Sequence, residues 1–194
     1  MTDKKLYQLL ENAYRQFNKP DFIEHDPISI PHSFSKKQDI EITSFWISMI
    51  AWGNRKSIIS SGKRLTELMD GAPHQFITQH QETDLKRFEN FKHRTFNYTD
   101  SLYFIEFLKH HYSENNSLET AFSDSLKKTD ATIENALTGF HEYFFSLEFA
   151  PQRTRKHVST PMRNSTCKRL NMFLRWMVRE NNSGIDFAGL MVKR

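Results

Sequence analysis

Only one cysteine, Cys167, occurs among the 194 residues. That excludes an intramolecular disulfide and any four-cysteine zinc or iron–sulfur site, and it fits a reducing cytoplasm. Glycine and proline are scarce, at six each, so sharp turns are few. No run approaches the ~20 apolar residues that a membrane span needs. The opening Met1-Thr2-Asp3-Lys4-Lys5 is followed by no long apolar run of the signal-peptide kind. Nor does any stretch alternate apolar and polar residues as a half-buried strand would. The nine histidines are scattered, and none stands at metal-ligand spacing with carboxylates or the cysteine. No metal, no cofactor and no membrane partner are therefore expected, and a cytoplasmic monomer is.

A further absence is local. Between Phe149 and Arg179 there is no Asp or Glu, against eight cations: Arg153, Arg155, Lys156, Arg163, Lys168, Arg169, Arg175 and Arg179. The whole chain is +4 and this segment +8, so the remainder is −4. An asymmetry this local reads as an anion-facing surface, and nucleic-acid phosphate is the commonest large anion it would meet. A solvated basic face without a ligand is the alternative.

What is present is aromatic and helical. Aromatic residues make up 13% of the chain, 17 of them Phe. Residues 3–17 place Leu6, Leu9, Leu10, Ala13, Tyr14 and Phe17 on one helical face, and Pro20, Pro27 and Pro31 make 20–35 a loop. A second helix begins at Asp39, buries Ile42, Phe45, Trp46, Met49 and Ile50, and stops at Gly53; a third covers about 56–69. Shorter helices are predicted near 73–80 and 83–90, then one after Asp100 and one from Ser117 through Leu126. Another, capped by Asp130, carries Ile133, Ala136, Leu137, Phe140, Phe144 and Phe145. A loop at 150–165 leads to a strong helix at 166–180. The class is all-α, with roughly eight to ten helices in one domain over 1–194. Two helical lobes (about 36–130, and 1–35 with 131–194) are the alternative division.

The last helix has two faces. Leu170, Phe173, Leu174, Met177 and Val178 form its buried side. Lys168, Arg175 and Arg179 fall within about 40° of one another opposite. Two neighbouring guanidinium groups and the helix N-terminus would favour the neutral amine of Lys168 and make it nucleophilic. In the preceding loop Ser165 or Thr166 can cap the helix, and free backbone N–H groups there can hold a phosphate. A second locus is the polar tip Gly53-Asn54-Arg55 between two helices. Asn54 there either caps the following helix or is placed to enter a DNA duplex.

These loci resemble those of the helix-hairpin-helix DNA glycosylase superfamily, which includes the 8-oxoguanine glycosylases and the endonuclease-three-like enzymes. The stretch FWISMIAWGNR at 45–55 resembles the superfamily segment whose polar turn fills the hole left by a flipped base. More closely, AWGNR at 51–55, FKHRTF at 91–96 and CKRLNMFLRWMVR at 167–179 resemble an uncharacterised bacterial family related to that superfamily.

The resemblance implies a compact multi-helix fold of the helix-hairpin-helix glycosylase type and a base-excision glycosylase with abasic-site lyase chemistry. Its catalytic lysine would be Lys168, its carboxylate Asp186 and its wedge Asn54. DNA would be held by Arg55, Arg153, Arg155, Lys156, Arg163, Arg169, Arg175 and Arg179, although Arg169, about 100° from Lys168 on the helical wheel, can instead face an acidic partner. The chain departs from the superfamily in having no glycine at 163–167 and no histidine after Asp186. It is expected to be truncated at its C-terminus, so that the catalytic aspartate is either Asp186 or one lost with the missing part. A non-catalytic DNA-binding module, or a helical protein-interaction domain with a basic face, are the competing readings.

Overall fold

The computed structural model describes residues 2–180, 183–187 and 189–191. Among these, nine α-helices follow in order: α1 (Asp3–Phe17), α2 (Asp21–Glu24), α3 (Lys37–Ile50), α4 (Arg55–Leu68), α5 (Pro73–Gln79), α6 (Tyr98–Glu114), α7 (Glu119–Ser123), α8 (Glu134–Phe144) and α9 (Lys168–Val178). Short 3-10 turns occupy Pro27–Ser29, Pro31–Ser33, Glu82–Phe88, Gln152–Lys156 and Pro161–Arg163. Among the described residues the one β-bridge joins His93 to Phe96. The architecture is all-α.

Helix α3 is the axis. Every residue from Ile40 to Ile50 is buried, as expected of a helix surrounded on all sides. Two of its buried hydroxyls are satisfied locally: Thr43 donates to the Asp39 carbonyl at 2.7 Å and Ser48 to that of Phe45 at 2.7 Å. The phenylalanines gather on this axis. Phe45 meets Phe104, Phe140, Phe144 and Phe173 at centroid distances of 5.5–5.9 Å, and Trp46 packs against Phe88, Phe96 and Phe104. Edge-to-face and offset pairs of this kind add to the stabilisation from area burial.

Several boundaries differ from those predicted. Helix α6 starts at Tyr98, because Asn97 and Asp100 form a capping box in which Asp100 is the third helical residue. Asp130 does not cap α8; it accepts from Lys127 N at 2.9 Å and closes a turn, and Ile133 precedes the helix. Helix α7 is shorter than predicted, and Glu82–Phe88 is 3-10 helical. Helix α9 begins at Lys168 because Cys167 is left-handed, with φ 48°, and cannot extend it.

Two apolar faces also differ. Helix α1 forms, but none of it is buried; Leu9, Leu10 and Phe17 remain more than half exposed. In α9, Trp176 is buried with Leu170, Phe173 and Met177, whereas Leu174 and Val178 are half-buried. The chain after α9 folds onto it, with Phe187 N donating to the Trp176 carbonyl at 2.8 Å and Met191 N to that of Met177 at 3.1 Å. Leu174 and Val178 instead edge a pocket of about 660 Å³ beside Phe122 and Leu126.

One carboxylate lies inside this aromatic core. Glu41 of α3 is fully buried. It accepts from Tyr112 Oη at 2.9 Å, Ser117 Oγ at 2.5 Å and Leu118 N at 3.0 Å, with Lys37 Nζ at 3.7 Å. It thereby ties α3 to the α6–α7 connection. Burial pushes its pKa above the ordinary 4.5, against the lowering effect of these bonds and of Lys37. The folded state therefore holds this proton more tightly than the unfolded chain does. That contribution to stability is full below pH 4.5 and is lost as pH rises through the folded value. Glu41→Gln keeps an acceptor for these donors and removes the titration. Urea melts from about pH 4 to about pH 8 are expected to show the variant gaining on the wild type as pH rises; parallel curves would refute the role.

Candidate nucleic-acid interface

The turn between α3 and α4 is built by Gly53 and Asn54. Gly53 has φ +101°, and a Cβ there would meet Arg94 Nε at 2.5 Å, so only glycine lets the Arg94 guanidinium lie against the turn. The Asn54 side chain accepts from Lys56 N at 2.9 Å and caps α4. Asn54 is exposed, but its carboxamide oxygen is engaged in this cap. Arg94 sits in a second tight turn, where His93 N donates to the Phe96 carbonyl and Phe96 N to that of His93, both at 2.9 Å. Its φ of +54° is a strained setting for a non-glycine residue. Lys92, Arg94 and Thr95 are exposed there.

Trp52 joins these turns to the basic segment. The Arg169 guanidinium lies 4.9 Å over its ring, His157 stacks on it at 5.4 Å, and His93 meets it edge-on at 5.3 Å. Arg169 also donates to the Met49 carbonyl at 2.5 Å and to the Lys156 carbonyl at 3.3 Å. Its burial lowers its pKa. The ring nitrogens of His93 contact the Trp52 carbonyl at 3.2 Å and Ser61 Oγ at 2.8 Å. Burial is the main cause that lowers the His93 pKa.

Asp100 anchors the same region from below. It is fully buried and accepts from Arg153 at 2.8 Å, Thr154 Oγ1 at 2.8 Å and Asn97 N at 2.9 Å, with His157 Nε2 at 3.4 Å. Burial raises its pKa, but His157, Asn97 and Thr154 outweigh that and hold it below the ordinary carboxylate value. Arg153 further donates to Asn97 Oδ1 and, at 3.0 Å, to the Thr95 carbonyl.

The predicted cations thus divide. Arg153 and Arg169, both expected on phosphates, donate to protein acceptors and brace the fold. Arg175 and Arg179 converge on the buried Asp186, and Arg179 also reaches Asn18 Oδ1 at 2.7 Å. Arg55 faces Asp26 at 3.5 Å and lies over Phe22. Burial raises the Asp26 pKa against its bond from Ile28 N and the charges of Arg55 and Arg175. Arg155 lies 4.6 Å over Phe145. Lys156, Arg163 and Lys168 are exposed and make no ion pair among the described residues.

Lys168 and Asp186 are not brought together. Lys168 is the first residue of α9, whereas Asp186 is clasped by Arg179 just past its end. Eleven residues of helix separate Lys168 from Arg179, a rise of about 16 Å at 1.5 Å per residue. The guanidinium groups expected to flank Lys168 are held at that far end by the same carboxylate. The three strings that carried the family resemblance do converge: Trp52, His93 and Arg169 belong one to each. Arg94 is not among the cations singled out from the sequence, because nothing local there shows that its side chain lies on Gly53. Among the described residues no group of three or more His, Cys, Asp or Glu could hold a metal ion, and no helix is long and apolar enough to cross a membrane.

A family profile described as Protein of unknown function (DUF2400) matches residues 26–192. No curated protein and no solved structure matches the chain.

Replacing Arg169 with a neutral chain of similar length, Arg169→Met, leaves the Met49 and Lys156 carbonyls without their donor. The loss expected in urea unfolding is about 2 kcal/mol; a change within about 0.5 kcal/mol, the range of an ordinary surface substitution, would show that the strut is dispensable.

Proposed function

We propose, for a chain that belongs to the DUF2400 family of proteins of unknown function, that it binds DNA through phosphate contacts at the end of the molecule where α3 stops and α9 starts. The observation that carries this reading is the reach of Arg169. One guanidinium touches the end of α3, the Trp52 ring and the Lys156 carbonyl, and so draws three cation-bearing segments together. Arg94 lies on the turn at Gly53, Lys156 follows Arg155 in the basic loop, and Lys168 opens α9. Arg163, just before α9, adds a fourth exposed cation. No side chain caps the start of α9, which leaves backbone donors and the positive end of the helix dipole for an anion. Contacts of this kind position DNA without reading its sequence.

Binding to a short duplex is expected to weaken with salt, with a log–log slope of about −4 for four phosphate contacts. Arg94→Gly removes one contact and relieves the left-handed backbone. It is expected to lower affinity and the slope by about one unit while raising fold stability by about 1 kcal/mol. Salt-independent binding, or none at low salt, would sink the reading.

A second reading, a glycosylase with lyase activity, is favoured by one observation: Lys168 stands exposed beside Arg169 and hence on the same end as the 51–55 turn. As a neutral amine it would bond to the sugar C1′ while the glycosidic bond breaks and the base leaves with one amine proton; the nitrogen lone pair then expels O4′, which takes the remaining nitrogen proton, and the opened sugar is held as a Schiff base. Asp186 is out of reach for this chemistry. Borohydride is expected to trap a covalent complex with abasic DNA that Lys168→Gln abolishes; no adduct on a panel of lesions leaves DNA binding alone.

A further inference from the structure

We propose that this chain forms a two-fold dimer in which α1 of each copy lies in the groove beside α9 of the other. The proposal does not depend on DNA binding.

Two apolar surfaces among the described residues are uncovered. The first is α1. Leu6, Leu10, Ala13 and Phe17 follow one another at helical spacing, with Leu9 and Tyr14 beside them, so the six fall within an arc of about 140°. A helix with such a stripe normally buries it. Here Leu10 is 60% and Leu9 58% exposed, and no residue of α1 is buried. A helix of 15 residues is marginal in water by itself, so α1 gains most from a surface that holds it.

The second is the pocket of about 660 Å³ along α9. Its apolar walls are Phe122, Leu126, Ile133, Leu174, Val178 and Met191. Ile133 is 42% exposed, and Leu174 and Val178 are half-buried. The groove follows α9 from Asn171 to Arg179, about 12 Å, and the stripe of α1 from Leu6 to Phe17 runs about 16 Å.

Helix and groove belong to the same chain and meet at one rim. Asn18, the C-cap of α1, accepts at 2.7 Å from Arg179, a residue of the groove wall. Within one chain, however, the stripe stays in water and the groove stays open. When each helix crosses to the other copy, one reciprocal exchange covers both surfaces and closes the symmetry without growing a filament. The five large side chains of the stripe, each about half exposed, offer roughly 400 Å². A copy that gives one helix and receives another buries about twice that, near the ~800 Å² per partner of a standard interface.

The charges match as well. Lys4 and Lys5 outnumber Asp3 at the start of α1, while Arg15 and Glu11 pair with each other at 3.0 Å. Glu119 and Glu180 border the groove and make no ion pair among the described residues, whereas Arg175 and Arg179 are taken by Asp186. A cationic helix end therefore meets an acidic groove rim. The polar side of α1, with Lys4, Gln8, Glu11, Asn12 and Arg15, holds an acid among its cations and lacks the strongly basic face of a membrane-surface helix. A second copy is the better occupant.

Sedimentation equilibrium of the full chain over a dilution series tests this. The wild type is expected to pass from monomer to dimer as concentration rises. Leu10→Glu, on the helix, and Ile133→Lys, in the groove, are each expected to weaken dimerisation at least about tenfold. Both sites are exposed in the single chain, so the urea midpoints of dilute, monomeric samples should match that of the wild type. Mixing the two variants is expected to restore dimer. An intact helix of one then meets the intact groove of the other, and opposite charges face each other in the second contact. Monomer at every concentration would overturn the proposal. So would a dimer that Ile133→Lys leaves unchanged, since α1 would then pair with α1. Monomeric wild type that sediments with phosphatidylserine vesicles, an association lost in Leu10→Glu, would give α1 to a membrane surface instead.

Discussion

A single half-buried guanidinium decides how this end of the molecule is put together. Arg169 projects from the first turn of α9 to the last carbonyls of α3 and lies across Trp52. A cation inside a protein is expensive unless each donor finds an oxygen. Here the acceptors are backbone carbonyls from two distant segments, so the charge is satisfied only when both are in place. The start of α9, the turn after α3 and the loop at Lys156 are therefore positioned as one unit. Trp52 completes it with Arg169 over its ring, His157 stacked on it and His93 at its edge.

Beneath this unit lies a core in which phenylalanine is the commonest residue, and with it the buried carboxylates Glu41 and Asp100. They work in opposite electrostatic settings. Asp100 is surrounded by Arg153, His157, Thr154 and a backbone N–H, and its charged form is favoured. Glu41 has hydroxyls, one backbone N–H and a lysine at 3.7 Å, and burial wins. Both join elements far apart in sequence: Asp100 holds the turn at Gln152–Lys156 against α6, and Glu41 holds the α6–α7 connection against α3. Aromatic rings can pack in several geometries. Each carboxylate demands particular partners and so selects one register.

The basic segment takes on a different meaning once its partners are known. Four of its eight cations hold the fold: Arg153 on Asp100, Arg169 on carbonyls, and Arg175 and Arg179 on Asp186. The acids they need come from other parts of the chain, which is why the segment itself has none. Arg155 lies over Phe145, and Lys156, Arg163 and Lys168 stay exposed without an ion pair among the described residues.

Helical periodicity, scarce glycine and proline, and apolar spacing were enough to read an all-α chain and most of its helices from the residues alone, because these are local properties of 3.6-residue geometry. The burial of α3 and of Phe140 and Phe144 was legible for the same reason. The left-handed Cys167 that delays α9 was not, nor was the exposure of α1, since an amphipathic pattern shows that a face can be buried but not that a partner covers it. At the candidate site, the exposed Lys168 and the 51–55 turn were readable as a pair of loci. Tertiary structure alone decided which cations are struts and which are free, set Asp186 against Arg179 instead of Lys168, and placed Arg94 on Gly53. Charge is written in the sequence, but the partner that neutralises it is chosen by packing across distances of tens to more than a hundred residues.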